Sequence, residues 1–304
     1  MRNAFINALT EIAAQDDKIV FLTADLGYKL FDDFARRYPG RFMNVGVAEA
    51  NMVGVSSGLA LEGLRPFVYS IVPFATMRCF EQIRNDLAYH HADVKVVGVG
   101  GGYSYGHNGP THHAIEDVAV LRALPNLVVL SPGDPRETEA CVHALGKYRG
   151  PAYLRLGRAG EPVVHSGPVK FEIGKSLLLR DGGDAALLAS GSLVATAAQV
   201  GELLAAQGKN CRVLSMPSIK PLDFAAIESA ARDTGCVVTL EEHSIIGGLG
   251  SAVAEHLLET GIKTKFKRFG AKDAFSHICG DQAYHRAALG LTPDQLAASI
   301  GAML

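Results

Sequence analysis

Cysteine is sparse and unpaired in this chain. Its five cysteines (Cys79, Cys141, Cys211, Cys236, Cys279) are scattered, and none sits in a C-x-x-C pair. That pattern argues against a disulfide framework and a structural zinc site, and it fits a reducing compartment. An excess of one charge is also missing. Lys and Arg number 29 against 31 Asp and Glu, a net charge of -2, with no block of like charge. The balance gives no reason to expect nucleic acid or an anionic membrane as partner. No apolar run approaches bilayer length. The opening Met1-Arg2-Asn3-Ala4-Phe5 lacks the apolar core of a signal peptide, so the expected location is the cytoplasm. Signatures of nucleophilic catalysis are absent as well. There is no G-x-S-x-G elbow at a strand-to-helix turn: the pattern occurs at Gly54–Gly58, inside a predicted helix, and at Gly102–Gly106, inside a Gly-rich loop, and Ala189-Ser190-Gly191-Ser192-Leu193 lacks the second glycine. No cysteine has a suggestive neighbour.

What is present is glycine (33 of 304 residues) and apolar character (48%), enough for a sizeable core and two domains of ordinary size. Helical spacing covers 2–15 through Phe5, Leu9 and Ile12. Strands are predicted at 18–23, 42–45, 67–70, 94–99, 127–130 and 152–156. Helices are predicted at 48–61, 75–91 and 115–123, and a helix start follows Ser131-Pro132-Gly133-Asp134-Pro135. The stretch 162–174 holds two prolines and two glycines without helical period, and it marks a boundary between domains 1–165 and 172–304. Beyond it come strands at 185–189, 211–215 and 236–240, helices at 194–207, 250–259 and 292–303, and a loop at 219–223. This alternation predicts an α/β protein of two domains, each a mainly parallel sheet flanked by helices.

One charge stands out. In Gly46-Val47-Ala48-Glu49-Ala50-Asn51-Met52, Glu49 is a lone carboxylate in a small, apolar run with no further charge until Glu62. If buried, it needs a partner or a bound proton, as a proton-relay acid does. The bland alternative is a first-turn glutamate facing water. A second region is the Gly-rich loop 98–113, which follows a predicted strand, where ligands of open α/β sheets lie. It offers His107, Asn108, His112 and His113, and His113 is as readily structural. No Gly-Lys-Ser/Thr follows this loop, which excludes a Walker site. The histidines lack supporting carboxylate or cysteine spacing, so no metal site is predicted. Phe67, Tyr69 and Phe80 read as core, whereas Phe74, after Pro73, can stack on a flat ring. Arg78, Gln82 and Arg84 follow; pairing or a solvated face explains them as well as binding does. Glu241-Glu242-His243 and Gly247-Gly248-Leu249-Gly250, with no nucleophile nearby, read as an interface and a tight turn.

Taken in order, three motifs resemble the transketolase family. They are the Gly46–Met52 stretch, Gly109-Pro110-Thr111-His112-His113-Ala114-Ile115-Glu116-Asp117 with Leu121-Arg122-Ala123-Leu124-Pro125-Asn126, and Glu241–Gly250. The resemblance covers essentially the whole chain but only part of a full-length transketolase. The Gly-Asp-Gly motif that holds Mg2+ and the cofactor diphosphate is missing: Gly-Asp occurs only before Pro135, Ala185 and Gln282. The resemblance therefore implies a pyrimidine-binding domain followed by a transketolase C-terminal domain, one subunit of a split enzyme. A diphosphate-binding partner subunit, in a heterotetramer, would hold most of the Mg2+ coordination. The implied activity is thiamine diphosphate-dependent transfer of a two-carbon ketol unit from a ketose, as a phosphate, to an aldose. By the same resemblance Glu49 hydrogen-bonds the pyrimidine N1′ and promotes the tautomer that deprotonates thiazolium C2. Phe74 cushions the pyrimidine and Asp25 lies near the cofactor. His112 serves catalysis and substrate binding, and His107 and Asn108 line the substrate site. Arg158, with Arg155 as the alternative register, and Lys29 meet substrate phosphate. Three departures accompany these matches. Ile71 and Met77 replace further aromatics, Asn108 replaces an aspartate that reads a donor hydroxyl, and Gly100 replaces a substrate histidine. Alternatives are the beta subunit of a 2-oxo acid dehydrogenase, a 1-deoxyxylulose-phosphate synthase-like enzyme using pyruvate, and a non-catalytic structural subunit.

Overall fold

The computed structural model describes residues 1–304. The first half runs α1 (Arg2–Gln15), β1 (Ile19–Thr23), α2 (Asp32–Arg37), β2 (Phe42–Asn44), α3 (Glu49–Leu61), β3 (Arg65–Ile71), α4 (Val72–Thr76), α5 (Phe80–Gln82), β4 (Lys95–Val99), α6 (Asp117–Arg122), β5 (Val128–Leu130), α7 (Pro135–Lys147) and β6 (Ala152–Leu156). The second half runs β7 (Leu177–Arg180), β8 (Ala185–Ser190), α8 (Val194–Ala205), β9 (Cys211–Ser215), β10 (Ser218–Lys220), α9 (Phe224–Thr234), β11 (Cys236–Ser244), α10 (Leu249–Glu259), β12 (Lys265–Ala271), α11 (Gln282–Ala288) and α12 (Pro293–Gly301).

Two sheets result, with orders β10-β5-β6-β4-β3-β1-β2 and β12-β11-β8-β9-β7. All pairings are parallel except β10 on β5 and β7 on β9, both at sheet edges. Strands β1, β4 and β6 are buried at every position, as a parallel strand covered on both faces requires. Phe5, Leu9 and Ile12 of α1 and Val142 and Leu145 of α7 cover one face of the first sheet. Met52 and Val53 of α3 cover the other, in a core that continues into the second half through Leu188, Ile227 and Val253. The two sheets therefore share buried apolar surface.

Parallel strands bring all their C-terminal ends to one edge, and the loops leaving that edge carry the candidate residues. Asp25 and Lys29 follow β1, and Glu49 follows β2. Phe74 and Arg78 follow β3, the 100–113 loop follows β4, and Arg158 follows β6.

Three expectations are corrected. The helix over 75–91 is not continuous: α4 starts at Val72 with Pro73 in its first turn, α5 is a single turn, and Ile83–Tyr89 is a π-helix. The Cys79 thiol bonds the Phe74 carbonyl (3.1 Å) and helps close α4, which leaves Arg78 in the break between helices. The loop at 219–223 contains β10, a strand the second half lends to the first sheet. One apolar residue, Ile219, gives no periodicity, and the ladder partner of Ser218 is Leu130, far upstream. Elements α2, α9, β7, β12 and α11 went unread. β12 alternates as an exposed edge strand with Lys265 and Lys267 outward, a pattern easily taken for loop.

Candidate active site

Glu49 is the first residue of α3, following Gly46 at φ +72°. Its side chain is only 2% exposed, which excludes the water-facing reading. The site gives the acid a partner: Arg78 Nη1 donates to Glu49 Oε2 at 2.7 Å, and the Ser70 hydroxyl lies 3.4 Å from Oε1. Cation and acid are unevenly placed, for the Arg78 side chain is 48% exposed. Burial and the Glu49 charge together push the Cys79 thiol up to about 12, so this neighbouring cysteine is inert as a nucleophile.

From Glu49 a row of contacts runs outward. The Arg78 guanidinium lies 4.6 Å over the Phe74 ring. His112 meets Phe74 edge-on at 5.1 Å and Tyr105 at 6.2 Å. The Arg158 guanidinium lies 5.1 Å over the Tyr105 ring. The fold thus brings Glu49, Phe74, His112 and Arg158 into one chain of contacts, although they come from segments that follow four different strands. Burial, reinforced by the His113 charge, holds His112 below the ordinary imidazole range, and Thr111 Oγ1 lies 3.0 Å from its Nδ1. His112 is therefore neutral near pH 7 and offers one donor and one acceptor.

Other candidates lie outside this row. Asp25 (φ +49°) is exposed and exchanges two 3.0 Å hydrogen bonds with Asn44. Lys29 (φ +61°) shares a cleft of about 230 Å3 with Asp25, Tyr28 and Asn44. His107 and Asn108 sit exposed on a short 3-10 turn, Gly106–Asn108. His113 is structural: it is buried and packs edge-on against Tyr103 and His285. The two arginines of the β6 end separate cleanly. Arg155 is buried and spent on Asp117 (2.8 Å) and on the carbonyls of Ala114 and Glu242, whereas Arg158 is exposed.

Position 100 leaves no room for a side chain beside Tyr105. Gly100 has φ +89°, and a Cβ there would fall 2.2 Å from the Tyr105 ring. Tyr105 occupies that space and forms the link to Arg158. Sequence reasoning missed Arg2. It opposes the burial that raises the buried Tyr69 hydroxyl, and with Arg158 it does the same for the Tyr105 hydroxyl. Its place inside an ordinary helix pattern gave no signal.

The Glu241–Gly250 segment forms the junction between the halves, as the interface reading expects. Glu241 accepts from the amides of Leu249 and Gly250 at 2.8 Å each, capping α10. Glu242 accepts from the Tyr103 amide at 2.7 Å and pairs with Arg286, tying the Gly-rich loop to the second half. His243 Nε2 accepts from the Ala119 amide at 3.3 Å.

Comparison with known proteins agrees with this geometry. Residues 1–160 match the transketolase pyrimidine-binding domain, and residues 174–296 match the transketolase C-terminal domain. The chain is 42% identical over 266 residues to one of the subunits of the apulose-4-phosphate transketolase of Phocaeicola vulgatus, covering 87% of this chain and 85% of that protein. It is 40% identical over 297 residues to the SqwH component of the 6-deoxy-6-sulfo-D-fructose transketolase of a Clostridium species, covering 97% and 92%. A solved split-gene transketolase, an inactive beta4 tetramer, superposes with a TM-score of 0.92 at 40% identity over 99% of this chain and 96% of that one. No helix is long and apolar enough to cross a membrane. The chain belongs to the transketolase family, among the split subunits that join a pyrimidine-binding domain to a C-terminal domain.

Proposed function

We propose that this chain, joined to a subunit that grips the diphosphate and Mg2+ of thiamine diphosphate, transfers a two-carbon ketol unit from an anionic ketose to an aldose. The carrying observation is the row from buried Glu49 through Phe74 and His112 to exposed Arg158. The residues suit the pyrimidine end of the cofactor. That ring needs an acid for one nitrogen and a flat apolar face, and the seat between Glu49 and Phe74 already accepts a flat, nitrogen-bearing cation, the Arg78 guanidinium. When bound, the cofactor supplies the carbanion chemistry. Glu49 holds the hydrogen bond to its pyrimidine from a site closed to water, and Phe74 fixes the ring plane. Asp25, with Asn44, borders the cofactor. Neutral His112 donates to or accepts from the reacting oxygen of the sugar. His107 and Asn108 read its hydroxyls, and Arg158, Arg2 and Lys29 hold its anionic group. Both named relatives act on ketoses with such a group, a phosphate in one and a sulfo group in the other. Either oxyanion suits a guanidinium fork.

We divide the chain at 165/172, with β10 crossing the division, and expect a heterotetramer with the active site between unlike subunits. Five unpaired cysteines favour the cytoplasm. The test is reconstitution with the partner, followed by a screen of ketose donors. Glu49→Ala and Glu49→Gln are expected to assemble normally and to lose turnover. Normal turnover in either variant ends the catalytic reading, and consumption of pyruvate in place of a ketose replaces the ketol-transfer one.

A further inference from the structure

We propose that Arg78 is a built-in stand-in for the aminopyrimidine: in the free chain its guanidinium fills the ring's seat, and the cofactor enters by displacing it. This rests on the reading of Glu49 and Phe74 given above. Both contacts the ring requires are already taken by one side chain. Arg78 donates to Glu49 at 2.7 Å, and its guanidinium carbon lies over the Phe74 ring, 4.6 Å from the centroid. A ring stacked on the Phe74 face that Arg78 covers, with its nitrogen at Glu49 Oε2, meets the guanidinium, so seat-filling by Arg78 and by the ring are mutually exclusive.

Why the seat is filled follows from burial. Glu49 is closed to water, and a buried acid without a partner is costly. Arg78 satisfies it at little expense, because its own side chain is half-exposed and its guanidinium is weakly hydrated and stacks on aromatic faces. The same half-exposure makes Arg78 easy to release. It stands in the break between α4 and α5, so its side chain swings into solvent without unwinding a long helix. The exchange leaves Glu49 partnered at the start and at the end. Arg78 thereby keeps the acid and the aromatic face in place before the cofactor arrives, and it competes with cofactor for the seat.

The experiment measures thiamine diphosphate affinity of the reconstituted two-subunit complex by calorimetry. Arg78→Met keeps similar bulk without charge or fork, and it is expected to bind the cofactor about three- to tenfold more tightly. Arg78→Lys keeps the charge but loses the planar stack, and it should fall between Met and wild type. If the Met variant folds poorly, Arg78→Gln, which retains one donor for Glu49, carries the same expectation. Unchanged or weaker binding in the variants that fold overturns the proposal. Glu49→Gln measured in parallel separates the two claims. Weak binding in Glu49→Gln without tightening in Arg78→Met removes only the stand-in role. Wild-type binding and turnover in Glu49→Gln remove the underlying reading of the site.

Discussion

Replacing Gly100 by alanine probes the site through a single methyl group. The backbone there has φ +89°, and the added Cβ lands 2.2 Å from Tyr105 Cδ2 and Cε2. A left-handed backbone costs an L-residue about 1–2 kcal/mol. Pushing aside a half-buried ring adds the lower part of the overpacking range, so the total loss of stability is about 2–4 kcal/mol. Urea unfolding of the free chain measures it as a lower midpoint at unchanged slope. A double-mutant cycle with Tyr105→Ala divides the loss. The backbone part survives in the double variant and the clash part does not, giving a coupling of about 1 kcal/mol or more. The displaced ring also leaves its place between His112 and Arg158. In the reconstituted enzyme the KM for an anionic ketose should therefore rise before kcat falls. A Gly100→Ala chain within about 0.5 kcal/mol of wild type would refute the reasoning, as would zero coupling to Tyr105.

Three further outcomes are expected. Arg155→Met leaves the buried Asp117 without its cation and should cost about 3–5 kcal/mol in urea unfolding. Arg158→Ala should leave stability within about 0.5 kcal/mol and raise the KM for an anionic ketose about tenfold or more; the reverse pattern would exchange the roles assigned to the two arginines. His165 bonds Glu137 at 2.8 Å, and that bond raises its proton affinity above the ordinary value of 6.5. Its stabilisation is complete below 6.5 and fades as pH climbs through the raised folded-state value. The urea midpoint of wild type minus that of His165→Gln should shrink as pH rises above 6.5, and a constant difference would show that the pair does not titrate as argued.

Much of the architecture was legible in the residues because it rests on local period. Buried runs such as Ile19–Thr23 and Lys95–Val99 read directly as interior strands, and Phe5, Leu9 and Ile12 read as one helix face. Among the elements that escaped were β10, whose partner strand is remote, β12, whose charges mask an edge strand, and the broken α4–α5 segment.

The site divides in the same way. Sequence by itself marked Glu49, because one carboxylate in an apolar run must find a partner wherever the chain folds. It marked Phe74, His112 and the Gly-rich loop through motif order. It did not choose between Arg155 and Arg158, place Arg2, assign Glu242, or pair Arg78 with Glu49. Those pairings join residues 29, 38 and 139 positions apart. Strand order alone brings such residues together, and periodicity reaches only a few positions along the chain. The tertiary structure decided which cation is buried as a strut, which is free to hold an anion, and which lies across the buried acid.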